Sequence, residues 1–206
     1  MKKMLYGHEQ TLGGLKKRTG MTYQGIKRNV FISHYKGDRN EVEAFIDEFA
    51  NRQAVFTPYV LGANENYDFI DSTNTDYVMT QIRQKYLKDT TVTIVLVGSC
   101  THSRRYVDWE IKTSLRRGEY TPNGLMGIVL PSQKKNPYLP RRLEANLARD
   151  PVNCYARYWE YPNSAEALGG IIEDAYSART TRAELIQNPQ DMMKKNAQCK
   201  VCGVTH

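Results

Sequence analysis

The sequence predicts an α/β fold in which a parallel β-sheet is covered by helices on both faces. A compact run of apolar, mostly β-branched residues, Val92 to Val97, is typical of a strand buried on both sides. After a short turn, Val107, Ile111 and Leu115 recur every four residues, which indicates an amphipathic helix. Strand and helix patterns alternate in this way along the chain without an internal repeat, and this alternation favours a doubly wound sheet.

The other elements follow from local patterns. Asn40 should cap the first helix with Glu43 as its capping-box partner, and Ser164 should cap the last helix. Because crossovers between parallel strands are right-handed, the element order predicts a five-stranded, flavodoxin-like sheet whose first, third and fourth strands end along one edge. Open α/β sheets bind their ligands at that edge. The predicted strands are residues 30–33, 54–59, 92–97, 125–130 and 152–158, and the predicted helices are about 41–52, 76–87, 107–115, 141–147 and 165 to beyond 176.

The charge is concentrated at the two ends of the chain. The formal net charge is +7, and residues 1–28 alone hold seven basic side chains and one acidic side chain. For a chain of 206 residues we predict a basic flexible N-terminal arm at 1–28, one α/β domain at 29–187 and a polar C-terminal tail at 188–206. The nearly neutral middle does not favour a nucleic-acid partner, although the arm could act as an electrostatic tether.

The four cysteines do not form the pattern of a disulfide-bonded secreted protein. No signal-peptide-like segment precedes the first strand and no apolar run is long enough for a membrane span, so we expect a cytoplasmic protein without a membrane partner. Cys199, Cys202 and His206 offer three zinc ligands, but zinc needs about four. Cys154 or a partner could supply the fourth. The alternative is a disordered tail, and we assign no metal.

Two segments resemble a known family. Residues 30–38, VFISHYKGD, resemble the opening strand and loop of TIR domains. Residues 98–111, GSCTHSRRYVDWEI, resemble the TIR-like family that includes the TIR subunit of Thoeris anti-phage systems. A Gly-Ser-x-Thr turn, an Arg-Arg/Lys-aromatic-Val step and a Glu-Ile pair recur in that family at this spacing, and Gly127-Ile128 fits its next strand. The resemblance extends from about Lys27 to Pro131 and implies a TIR-like fold.

The resemblance also implies that the protein processes NAD as a substrate, without a separate cofactor. Glu110 matches the catalytic glutamate of the family. Its members cleave the nicotinamide–ribose bond, and Thoeris subunits release an ADP-ribose-derived signal for a separate effector. Self-association through TIR–TIR contacts, which commonly completes the site, and a phage-derived trigger are implied as well. The predicted substrate-binding residues are Phe31, Ser33, His34, Tyr35, Asp71 and Trp109.

One carboxylate is chemically sufficient for this reaction. Nicotinamide leaves as a neutral molecule, so no general acid is needed, and the enzyme has to stabilise an oxocarbenium-like centre. Alternatives remain open for each residue. Glu110 could be a solvated helix acid paired with Arg104, Arg105 or Lys112, and Trp109 could pack against the domain instead of stacking on a ligand. His34 and Ser33 could be structural, and Asp71 could merely solvate its loop. The whole protein could be a catalytically silent interaction or scaffold module.

Overall fold

Five strands form one parallel sheet in the computed structural model, which describes residues 22–60, 72, 74–118, 120–133, 137–147 and 153–206. The order across the sheet is β2-β1-β3-β4-β5, which confirms the predicted flavodoxin-like topology. The strands are β1 Arg28–Ser33, β2 Phe56–Val60, β3 Val92–Val97, β4 Gly124–Val129 and β5 Arg157–Trp159.

The register of the strands positions the carboxyl edge of the sheet. Val97 at the end of β3 pairs with Val129 at the end of β4, so these two strands end level. Ser33, the last residue of β1, pairs with Val95, two residues before the end of β3. The carboxyl end of β1 is therefore recessed beside its neighbour. As predicted, the ends of the first, third and fourth strands lie side by side.

Five α-helices of the described residues cover the sheet. They are α1 Arg39–Ile46, α2 Thr75–Ile82, α3 Arg105–Ser114, α4 Arg141–Ala145 and α5 Ala165–Thr181. Helix α1 continues into π-helical turns at Asp47–Arg52, and α2 continues in the same way at Arg83–Leu87. Short 3₁₀ turns at Lys36–Asp38 and Thr101–Ser103 follow β1 and β3.

The two faces of the sheet have separate cores. Ile32 of β1 and Ile94 of β3 belong to the cluster that contains residues of α1 and α5. Phe31 and Val95, on the opposite face, pack with residues of α2, α3 and α4. All six residues of β3 are buried, as its uninterrupted apolar run predicts.

The predicted cap of the first helix is wrong, and the predicted cap of the last helix is confirmed. Helix α1 begins at Arg39, so Asn40 lies inside the helix and no side chain caps it, while Glu43 pairs with Arg39 at 2.6 Å instead. The capping box is therefore absent. The predicted cap at the last helix is confirmed, because Ser164 Oγ accepts a hydrogen bond from Ala167 N at 3.1 Å.

The fifth strand is shorter than predicted. The prediction covered residues 152–158, whereas β5 contains only Arg157–Trp159. Tyr155 instead donates a side-chain hydrogen bond to the carbonyl of Asn123 at 2.6 Å, and Ala156 N donates to Asn146 O at 3.0 Å. These contacts hold the preceding backbone against α4 and the start of β4, away from a strand ladder.

Part of the predicted arm packs on the domain. The backbone of Tyr23 donates to Gln53 O at 2.9 Å, and its ring lies where a Cβ on Gly169 of α5 would be. Residues 1–21 and most of the polar loop predicted after β2, including Asp71, lie outside the described residues. In the described part of the chain, no helix combines the length and apolar character that crossing a membrane requires.

The C-terminal segment, residues 188–206, lies across α3 and α4. Arg142, which is 1% exposed, forms a buried ion pair with Asp108 at 3.0 Å and donates to Asn188 Oδ1 at 2.8 Å. The indole Nε1 of Trp109 donates to Met193 O at 2.8 Å. A disordered tail is therefore the wrong interpretation. The backbone carbonyls of the C-terminal segment accept hydrogen bonds from buried side-chain donors that would otherwise be unpaired.

Candidate active site

Glu110 and Ser33 meet at the recessed end of β1. Alternation along β1 places Ser33 on the same face as Phe31, towards α3. Ser33 Oγ donates a hydrogen bond to Glu110 Oε2 at 2.5 Å, and both residues are buried, with Glu110 4% exposed. The alternative of a solvated helix acid for Glu110 is therefore wrong.

Helix α3 is covered on opposite sides, which explains how adjacent residues can all be buried. Val107 and Ile111 pack towards the sheet, while Asp108 and Trp109 bind the C-terminal segment. Glu110 lies between these two sets and reaches β1. A sequence pattern with a single apolar stripe predicts one buried face, so it could not reveal this second cover.

Burial raises the pKa of Glu110 from an ordinary value near 4.5 to about 8, although the hydrogen bond from Ser33 opposes the rise. Desolvation disfavours the ionised form, and the serine hydroxyl favours it. Roughly a tenth of the molecules hold Glu110 ionised at pH 7. The residue is thus a mostly neutral acid that a nearby cation could ionise.

A second acid, Asp38, lies in the 3₁₀ turn after β1. Thr101 Oγ1 donates to Asp38 Oδ2 at 3.3 Å and accepts from Gly98 N at 2.9 Å. A Cβ on Gly98 would lie 2.1 Å from Asp38 Oδ2, so glycine is needed for the close approach. Burial raises the pKa of Asp38 to about 6, and the Thr101 hydrogen bond partly opposes this. The loop after β1 and the turn after β3 are therefore joined.

Tyr35 is held from two sides. The guanidinium of Arg104 lies over its ring, 4.1 Å from the centroid, and its hydroxyl is 3.3 Å from Nδ1 of His206. The C-terminal segment therefore reaches the predicted substrate-binding loop. His34 next to it is half-buried, and burial lowers the pKa of its imidazole.

Phe31 and Trp109 lie in the core between the sheet and helices α2 and α3. Phe31 is fully buried and Trp109 is 6% exposed, with the ring of Tyr106 edge-on at 5.2 Å. Of the two alternatives for Trp109, packing against the domain is the one observed. Neither ring is available to a ligand in this conformation. Asp71 lies outside the described residues, and the binding roles of Ser33, His34 and Tyr35 stay predictions.

A protein-family model matches the part of the sequence that forms this site. The model described as "Thoeris protein ThsB, TIR-like domain" matches residues 31–135, from β1 to the loop after β4. The chain belongs to this family. It is thus a TIR-like module of the Thoeris anti-phage defence type, and the family assignment predicted from two motifs is confirmed. The match includes Ser33 and Glu110 and ends before α4. No curated protein matches the chain.

Sequence reasoning missed three contributors to the site of this ThsB-type domain. Asp38 and Thr101 lie within the two recognised motifs. Because they follow the first and third strands, whose ends were predicted to lie side by side, their contact could have been predicted. Arg104 directly precedes α3, and from the sequence it would be expected to be a solvent-exposed cation. It is nevertheless buried, at 6% exposure, because Tyr35 and the C-terminal segment cover it.

Proposed function

We propose that this ThsB-type domain cleaves the nicotinamide–ribose bond of NAD and releases an ADP-ribose-derived signal for a separate effector. The observation that carries the proposal is the hydrogen bond between Ser33 and Glu110. It joins one residue from each recognised motif at the carboxyl edge of the sheet, where doubly wound folds bind nucleotides. Family membership makes this edge the expected place for the reaction.

The chemistry requires Glu110 to be ionised in the transition state. The C–N bond breaks, nicotinamide leaves with the bonding electron pair as a neutral molecule, and positive charge develops on the ribose. Water, or a nucleophilic group of ADP-ribose itself, then bonds to the anomeric carbon and loses a proton, which gives the neutralised product. A carboxylate close to the ribose stabilises that charge, and the Ser33 hydroxyl fixes the carboxylate orientation. The cationic nicotinamide ring of bound NAD lowers the pKa of a nearby carboxyl by about 1–3 units, so substrate binding itself favours the ionised form.

Burial of Glu110 sets a condition for activity. The side chain is 4% exposed in the isolated chain, so NAD reaches it only after the residues that cover it move or a second copy rearranges this edge. Self-association or a phage-derived trigger would supply that change. We therefore expect activity to depend on protein concentration or on a trigger. A second copy or a trigger opens the site only if it binds the open conformation more tightly than the closed one.

A catalytically silent interaction module is the second candidate. It is favoured by the same burial, because Glu110, Phe31 and Trp109 are all enclosed. In this case the domain assembles, or binds NAD or ADP-ribose, without turnover.

Nicotinamide release separates the two candidates. Purified wild type, Glu110→Gln and the exposed-acid control Glu166→Gln are incubated with NAD over a range of protein concentrations, with and without lysate from phage-infected cells. We expect release by wild type and by Glu166→Gln, and loss of release in Glu110→Gln.

Equal inertness of all three proteins under every condition would refute the enzymatic proposal. Calorimetry with NAD and with ADP-ribose then tests the second candidate. Binding without turnover supports a silent module if Glu110→Gln binds as tightly as wild type. If neither nucleotide binds, assembly is the remaining role of a silent module, and ultracentrifugation measures it.

A further inference from the structure

Four potential metal ligands converge beside the turn after β3. Sγ of Cys100, Sγ of Cys202 and Nε2 of His206 all lie within 4.8 Å of one another. Cys199 lies beside this group, with its sulfur 2.9 Å from that of Cys100. Cys100, about a hundred residues from the other three, is thus the cysteine that the fold brings to the C-terminal residues Cys199, Cys202 and His206.

The spacing of these atoms is close to that of a tetrahedral site. Zn–S bonds of about 2.3 Å and Zn–N bonds of about 2.0–2.1 Å place neighbouring ligand atoms roughly 3.5–3.8 Å apart. Cys202 Sγ lies 3.5 Å from Cys100 Sγ and 3.1 Å from His206 Nε2, and the Cys100–His206 distance is 3.5 Å. These three atoms are therefore already spaced like three ligands of one tetrahedral ion. Cys199 would have to draw back from Cys100, from which its sulfur is 2.9 Å away, to become the fourth ligand.

The backbone around Cys199 is shaped to hold a thiolate. The backbone N–H groups of Val201 and Cys202 lie close to the Cys199 sulfur and favour negative charge on it. Gly203 has a φ of +74° and donates to Cys199 O at 2.8 Å. This left-handed glycine closes a tight turn and directs the chain back, which brings His206 onto the cysteines.

The surroundings match the charge of an occupied site. Three thiolates, a neutral imidazole and Zn²⁺ carry a net charge of −1. Arg104 is buried beside them and donates to Cys100 O at 3.1 Å and to His206 O at 3.3 Å. Its Nη2 has no hydrogen-bond partner among the described residues, which is an unusual cost for a buried cation. A bound anionic metal–thiolate centre would offset that cost.

We propose that Cys100, Cys199, Cys202 and His206 form a structural Zn²⁺ site that fastens the C-terminal segment to the turn after β3. Three soft thiolates and one imidazole in a tetrahedral arrangement select zinc, and four protein ligands leave no open position for catalysis. His102 supports the site from outside, because its Nε2 accepts a hydrogen bond from Lys200 N at 3.0 Å. The inference does not depend on NAD cleavage.

Metal analysis of untagged protein tests the site. Wild type is purified without a polyhistidine tag, in the presence of a non-thiol reductant and micromolar Zn²⁺, and desalted before elemental analysis. Cys202→Ser and His206→Ala each remove one ligand at exposed positions, so folding should persist. Cys154→Ser is the control for loss of a cysteine as such, because Cys154 is a free cysteine that does not belong to the cluster.

We expect about one zinc per chain in wild type and in Cys154→Ser, and at least a tenfold weaker affinity in the two ligand variants. Titration of metal-free wild type with Co²⁺ should give the visible absorption of a four-coordinate cobalt–thiolate centre, and this readout needs no variant to fold. A protein that takes up neither metal overturns the proposal. So does a reductant-sensitive mass lower by two hydrogens, which would indicate a Cys100–Cys199 disulfide, or an equal loss of zinc in Cys154→Ser.

Discussion

Replacing Glu110 with glutamine should change how the free energy of unfolding depends on pH. Glutamine keeps an oxygen that can accept the hydrogen bond from Ser33 and cannot ionise. The variant also buries a new amide N–H₂ group, which adds a constant cost of about 1–3 kcal/mol if it finds no partner. The informative quantity is therefore the difference between the two proteins as a function of pH.

The direction follows from the raised pKa of Glu110. Between the unfolded value near 4.5 and the folded value of about 8, the folded state binds a proton that the unfolded state has released. Wild type therefore loses stability as the pH rises through this window, by about 1.4 kcal/mol per unit, whereas the variant does not. Relative to its stability at low pH, wild type loses on the order of 3 kcal/mol by pH 7 and about 5 kcal/mol above pH 8 through the ionisation of Glu110. This is a large part of the 5–15 kcal/mol that stabilises a typical domain.

Urea unfolding followed by circular dichroism at pH 5, 6, 7 and 8 measures the effect. The free energy of unfolding of Glu110→Gln minus that of wild type should rise steadily over this range. The exposed-acid control Glu166→Gln should give a difference that is flat within about 0.5 kcal/mol. If the Glu110→Gln difference is also flat, or falls with pH, Glu110 does not titrate as a desolvated carboxyl, and the neutral resting state is refuted.

Two further predictions concern stability. Gly98→Ala should lower the free energy of unfolding by about 1–3 kcal/mol, because the new Cβ displaces the Asp38 carboxylate. The control Gly170→Ala, with nothing within 4 Å of its new Cβ, should be neutral or stabilising by up to about 1 kcal/mol. Equal effects of the two variants in thermal unfolding would contradict the close contact between Gly98 and Asp38. Arg142→Met should cost about 3–5 kcal/mol by leaving Asp108 buried without its partner, and Asp108→Asn in the same chain should restore part of it. Urea unfolding of the single and double variants would disprove this if the two changes were additive.

The centre of the fold could be predicted because its sequence pattern is local and strong. The apolar run of β3 and the four-residue spacing of Val107, Ile111 and Leu115 gave a strand and a helix in the right order. Right-handed crossovers then predicted which strand ends meet. That argument was enough to expect the ends of the first and third strands side by side, and Ser33 of the first motif does contact Glu110 of the second motif there.

The environment of the site could not be predicted in the same way. Asp108 and Trp109 are both buried on the side of α3 that the C-terminal segment covers, and the segment binds them through the backbone N–H and carbonyl of Met193. Side-chain patterns do not record which carbonyls a distant helix will use. Cys100 likewise joins Cys199 only through the folded path of the chain, so no spacing in the sequence could link them.

The indole of Trp109 gives the domain a built-in optical reporter. Its ring is shielded on one side of the sheet, and its N–H donates to Met193 O, whereas Trp159, the second tryptophan of the chain, packs against the cluster on the opposite face. In a Trp159→Phe background, emission comes from Trp109 alone. Release of the C-terminal segment would expose this indole to water and move its fluorescence to longer wavelength, so lifting of the segment can be followed in real time without a label.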